Sequence, residues 1–84
     1  MLPHEYPLVT LAGESYSTGR RGKRHRHTRY SADDGGEVII TRHHDRTALV
    51  TVIGADGARR EFRESLAGTD AWLLSAVGYR LDAA

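Results

Sequence analysis

Residues 47–63, TALVTVIGADGARREFR, leave the backbone few options. Ala48, Val50 and Val52 alternate with Leu49, Thr51 and Ile53 in a run rich in β-branched side chains. Such residues pack well on a pleated strand and lose rotamer freedom in a helix. Gly54-Ala55-Asp56-Gly57 follows where the chain must reverse: glycine accepts positive φ, and aspartate bonds back to its own backbone. A β-hairpin is predicted, with residues 58–64 as the returning strand. Phe62 is its only large apolar residue, set among Arg59, Arg60, Glu61 and Arg63, so the strand reads as an edge guarded by charge.

The 84 residues suit one domain spanning 1–84, with a core small enough that net stability is modest. The absence of cysteine excludes disulfides and thiolate metal sites. Apolar runs of only a few residues exclude a membrane helix, and MLPHEYPLVTLAG lacks the basic start and long apolar centre of a signal peptide. A cytoplasmic protein, or one carried by a particle assembled there, is expected.

The net charge of +1 hides a segregation. No acid lies between Ser15 and Ala32, where Arg20, Arg21, Lys23, Arg24, Arg26 and Arg29 supply six of the twelve basic residues; the other six share the chain with all eleven acids. Sorting of this kind points to an anionic partner for the basic segment. The competing reading is a solvated loop, or one paired with the protein's own acidic surface.

Around the hairpin the chain divides as follows. Residues 1–22 form an irregular N-terminal segment with a short strand at 8–12, and GESYSTGRRG (13–22) reads as a loop from its three glycines. Tyr16 there is either a loop anchor or a stacking residue for a base. Residues 23–31 are polar but carry no breaker, and Asp33-Asp34-Gly35-Gly36 is a strong turn signal, so a β-meander over 23–64 is predicted. Residues 65–68 link it to a helix over 69–81, capped by Thr69 or Asp70. Leu73, Val77 and Leu81 recur every fourth residue, widened by Trp72, Ala76 and Tyr79, and Trp72 and Leu73 are predicted to be essential to the core. Gly78 weakens this helix by about 1 kcal/mol relative to alanine, or marks its end. The expected fold is α+β: a small antiparallel β-meander of about four strands packed against one C-terminal helix.

A register follows from the turns. Tyr30 opposite Val38 puts Thr28 opposite Ile40, His27 opposite Thr41 and His25 opposite His43; Ile40 then faces Val50, and Val50 faces Phe62. Tyr30, Val38, Ile40, Val50, Val52 and Phe62 share the core face. His25, His27, Arg29, Ile39, Thr41, Leu49, Thr51, Ile53, Arg59 and Arg63 share the other.

The five histidines are the only candidate metal ligands. His25, His27 and His43 converge in this register with Asp45 near, but strand spacing produces such proximity often, and no metal or cofactor is expected. No nucleophile stands at a recognisable spacing from a base, and Asp33-Asp34 beside two glycines reads as a turn, so no catalytic residues and no enzymatic activity are expected.

Asp56-Gly57-Ala58-Arg59-Arg60-Glu61-Phe62, continued by Gly68-Thr69-Asp70-Ala71-Trp72-Leu73, resembles the N-terminal arm-binding domains of phage and transposon tyrosine recombinases over the second half of the chain. That family lays a three-stranded sheet, backed by a C-terminal helix, in the DNA major groove. The resemblance implies that Arg29, Thr41, Thr51, Arg59 and Arg63 would be the readers. Residues 77–81, VGYRL, are similar to the closing strand of winged-helix response regulators, but no recognition helix precedes them.

The function expected is a small non-enzymatic nucleic-acid-binding module, for DNA more than RNA, with Arg20, Arg21, Lys23, Arg24, Arg26 and Arg29 set against phosphate. Arginine outnumbers lysine five to one there, as suits bidentate contacts. The alternative is a phage- or mobile-element-encoded factor that docks on a larger host enzyme or virion protein through an unusually apolar outer face formed by Ile39, Leu49 and Ile53.

Overall fold

The computed structural model describes residues 2–65 and 68–82. Residues 66–67, in the predicted linker, lie outside them. The strands are β1 (Leu8–Thr18), β2 (Arg24–Ala32), β3 (Glu37–Arg42), β4 (Ala48–Ile53), β5 (Arg59–Glu64) and β6 (Arg80–Leu81), with helix α1 (Asp70–Ala76) between the last two. They form one curled, half-barrel sheet in the order β5-β4-β3-β2-β1-β6, antiparallel except where β6 runs parallel to β1. No helix among the described residues is long and apolar enough to cross a membrane.

The fold remains α+β, but the four-stranded meander is corrected at both ends. The segment read as a loop at 13–22 belongs mostly to β1, whose eleven residues pair with β2 down to Thr18 opposite Arg24. Gly13 does not end the strand. The register shifts between Leu11 and Gly13, so the glycine accommodates a bulge and pairing resumes beyond it. The remaining glycines cluster at the reversal around Arg20–Gly22.

At the other end the helix stops five residues early. Gly78 has φ +88°, its amide donates to the Ser75 carbonyl (3.1 Å), and the Tyr79 amide donates to the Leu74 carbonyl (2.9 Å). These paired bonds form a Schellman stop, with Tyr79 and Leu74 both buried behind it. Residues beyond the stop run extended, and Arg80 and Leu81 pair with Leu8 and Val9.

The meander itself follows the predicted register: Tyr30 opposite Val38, Thr28 opposite Ile40, Ile40 opposite Val50 and Val50 opposite Phe62. Gly35 at φ +87° and Gly57 at φ +84° turn the chain, helped by the Asp34 and Asp56 carboxylates accepting from the Gly36 and Ala58 amides (both 2.9 Å). Gly36 is required for a second reason: a Cβ there would lie 2.8 Å from the Ile53 carbonyl.

The core is Val9, Tyr30, Val38, Ile40, Ala48, Val50 and Val52 on the sheet, closed by Leu73, Leu74 and Tyr79. Two predicted core residues are corrected. Trp72 is 52% exposed, because the buried arc of α1 runs through Asp70, Leu73, Leu74 and Val77, and Trp72 falls on the other side, over Gly68. Phe62 is 39% exposed, because β5 is the edge strand and a seven-residue helix, about 10 Å long, seats on β3 and β6 without reaching it.

Thr69 caps α1 by accepting from the Trp72 amide (3.2 Å), which frees the Asp70 carboxylate for the sheet. It accepts from the Tyr30 hydroxyl (2.5 Å) on β2 and from the Arg42 guanidinium on β3. Burial alone would raise the Asp70 pKa, but Tyr30 and Arg42 outweigh it and hold the carboxyl below the ordinary value. Burial and the same bond push the Tyr30 hydroxyl well above the usual tyrosine range.

Leu73→Ala is expected to cost about 2–5 kcal/mol, enough to unfold a domain of this size, while Trp72→Ala costs about 1 kcal/mol or less. Urea titration of the two variants checks the assignment, and equal losses would contradict it. Because the folded Asp70 pKa lies below the unfolded 3.8, its stabilisation is present above that pH and disappears as pH falls through the folded value. Asp70→Asn should therefore be less stable than the parent by about 1–3 kcal/mol at pH 6, with the gap closing in acid.

Candidate nucleic-acid interface

The predicted basic segment becomes the hairpin joining β1 to β2, and the two-residue period of the strands divides its charges. Arg20 and Arg21 lie in the reversal, with Lys23 just after it; all three are exposed and none has a carboxylate within 4 Å among the described residues. Arg24 and Arg26 point to the α1 side of the sheet, in register with Thr18 and Tyr16. The Arg24 guanidinium stands 4.6 Å from the centre of the Tyr16 ring, which is 56% exposed. Arg26 reaches Glu14 at 3.7 Å, an exposed pair that holds it weakly. Tyr16 is thus the ring of a cation–π pair on the arm. A strand reading of residues 14–18 would have found it, since Glu14, Tyr16 and Thr18 alternate as Arg24 and Arg26 do.

Arg29 lies on the opposite face and pairs with Glu37 at 3.2 Å. The other residues implied as readers share that face. Arg59 is engaged by Glu61 (3.2 Å), and Arg63 borders a shallow depression of about 540 Å³ with His43, Asp45, Leu49 and Glu64. Thr41 and Thr51 are buried, at 9% and 4% exposure, so they do not project as readers. Both are short side chains flanked in register by longer ones: His27 and Leu49 beside Thr41, Ile39 and Glu61 beside Thr51.

His27 is held between two hydroxyls, and His25 and His43 pair with each other. His27 bridges Ser17 Oγ at Nε2 (2.7 Å) and Thr41 Oγ1 at Nδ1 (2.9 Å), which satisfies a neutral imidazole at both nitrogens. His25 and His43 meet edge to face, centroids 4.7 Å apart, with one Nδ1–H donating to the other Nδ1 across 2.7 Å. Asp45 lies near His43, lining the same depression, and its carboxylate accepts from the Thr47 hydroxyl (2.6 Å) and amide (3.1 Å). No group of three or more histidine or acidic side chains able to hold an ion occurs among the described residues.

No family model, no curated protein and no solved structure matches this chain.

Partial burial and then the neighbouring His25 hold the His43 pKa below its ordinary 6.5, so the unfolded chain binds that proton more readily than the folded one. Stability is therefore full above about pH 6.5 and falls as the pH drops toward the folded value. His43→Gln should flatten the slope of stability between pH 7 and 5; an unchanged slope in thermal melts would remove His43 from that role.

Proposed function

We propose that the chain binds nucleic acid, DNA in preference to RNA, through the β1–β2 hairpin rather than through its broad outer sheet face. One observation carries this reading: the β1–β2 turn, beyond the last β2–β3 pair at Arg26, presents exposed Arg20, Arg21 and Lys23, none with a carboxylate within 4 Å among the described residues, beside an exposed Tyr16–Arg24 stack. Unpaired arginines neutralise phosphates and release counterions, and a stacked tyrosine offers a surface for an unpaired base. The turn can approach the wide B-form major groove, whereas the A-form major groove is deep and narrow. On the outer face, Arg29 and Arg59 stand beside Glu37 and Glu61, so each shares its site with a carboxylate. Binding without catalysis, inside the cell, belongs to the same proposal.

A second reading, docking on a larger protein, draws on Leu11 at 63% exposure and on the half-buried row of Ile39, Leu49 and Ile53 facing away from α1. Capture of one protein partner that survives nuclease treatment would favour it.

Titration of fluorescent duplex and single-stranded DNA across a salt series tests the first reading. Replacing Arg20, Arg21, Arg24 and Arg26 by alanine should abolish binding at moderate salt and reduce the log–log salt slope by about 0.9 per lost phosphate contact. Tyr16→Ala should weaken single-strand binding by about 1–3 kcal/mol. Unchanged affinity in the fourfold variant would end the proposal.

A further inference from the structure

The outer edge of β5 is open along its six residues; at the opposite edge the two-residue β6 covers only Leu8 and Val9 of β1. The ladder phase of β5 is set at the turn, where the Gly54 amide donates to the Ala58 carbonyl (2.8 Å). Bonded pairs alternate in an antiparallel ladder, so Arg60, Phe62 and Glu64 turn their backbone groups toward β4. The His43 amide bonding to the Thr47 carbonyl (2.9 Å) sets the same phase from the β3 side. The amides and carbonyls of Arg59, Glu61 and Arg63 therefore point away from the sheet.

From this edge we infer that β5 pairs with β5 of a second copy of the chain, antiparallel, about a two-fold axis through Phe62. Only registers that place outward-pointing residues opposite one another make ladder bonds, which excludes every register with the axis between two residues. Of those left, centring on Glu61 sets it against the partner's Glu61 and Arg59 against the partner's Arg63. Centring on Arg63 sets it against the partner's Arg63. With the axis at Phe62, Arg60 faces the partner's Glu64, Glu61 faces the partner's Arg63, and each contact occurs twice by symmetry. Every directly opposed charge is then of opposite sign.

The same register explains the exposed aromatic on a charged edge. Phe62 and the partner's Phe62 occupy the close, non-bonded position of the ladder, with Cα atoms about 4.5 Å apart, and cover surface that is 39% exposed in the single chain. Charge that guards this edge against other strands thus selects its own copy. The two sheets join into one of twelve strands, with the β1–β2 hairpins at its far ends. The pairing does not depend on what those hairpins bind.

Sedimentation velocity of the full chain from micromolar to near-millimolar concentration, at low salt, tests the inference. The parent should pass from monomer to dimer across this range. Arg60→Glu and Glu64→Arg should each weaken dimerisation about tenfold, and the double swap Arg60→Glu/Glu64→Arg, which restores opposite charges, should recover it. Glu61→Pro removes an amide that points away from β4, so the fold, checked by circular dichroism, persists while the dimer is lost. A parent that stays monomeric throughout, single reversals that dimerise like the parent, a double swap that recovers nothing, or a dimer that survives Glu61→Pro would each overturn it.

Discussion

The Asp70 carboxylate is the point at which the helix is tied to the sheet. It sits in the first turn of α1 and receives hydrogen bonds from Tyr30 on β2 and Arg42 on β3, two neighbouring strands in the middle of the order. Apolar contact alone would let a seven-residue helix slide or rotate on a β-branched surface, because burial is non-directional. Three directed bonds from one charged group remove that freedom, and they put Leu73 and Leu74, not Trp72, against Val38 and Ile40. The position of the stop follows. Once the helix is seated, Gly78 turns the chain so that Tyr79 enters the core and Arg80 reaches β1, its guanidinium donating to the Tyr6 carbonyl just before that strand (2.9 Å).

That return strand is the sixth strand of the sheet. A two-residue parallel pairing adds little energy by itself, but it joins the C-terminal segment to the start of β1. The two edges differ: β6 covers the first two residues of β1, while β5 is uncovered along its length and charged. The β1–β2 pairing runs two residue pairs past the last β2–β3 pair, so the Arg-rich reversal is held by a ladder yet stays exposed.

Charge is sorted twice in this molecule. The chain sorts it along its length, collecting six basic residues in a stretch without acids. Strand alternation then sorts it again in space, sending Arg24 and Arg26 to one face and Arg29 to the other, where Glu37 meets it. The basic cluster that results is smaller than the segment suggests and sharper in position: a tip and one flank. Paired and unpaired arginines differ in what they can do for a ligand, and only the fold separates them.

Much of the centre of the protein was legible in the residues. Alternating β-branched positions, Asp-Gly and Gly-Gly turns and short connections determine the β2–β5 register, because a slip of one residue would carry Val38, Ile40, Val50 and Val52 to the wrong face. The ends were not legible. Residues 13–18 have weak local preference and become strand only because β2 offers them a partner; residues 77–81 suit a helix or a strand until the seating of α1 places Gly78 at its stop. Exposure of Trp72 and Phe62 depends on how far a short helix reaches over a curled sheet, and periodicity carries no information about reach. Local stereochemistry therefore determined the turns, the register and the caps. Tertiary contact decided which ambiguous segments became strands, which arginines met a carboxylate, and which strand came to lie at the edge, since each of these depends on residues distant in the chain meeting in space.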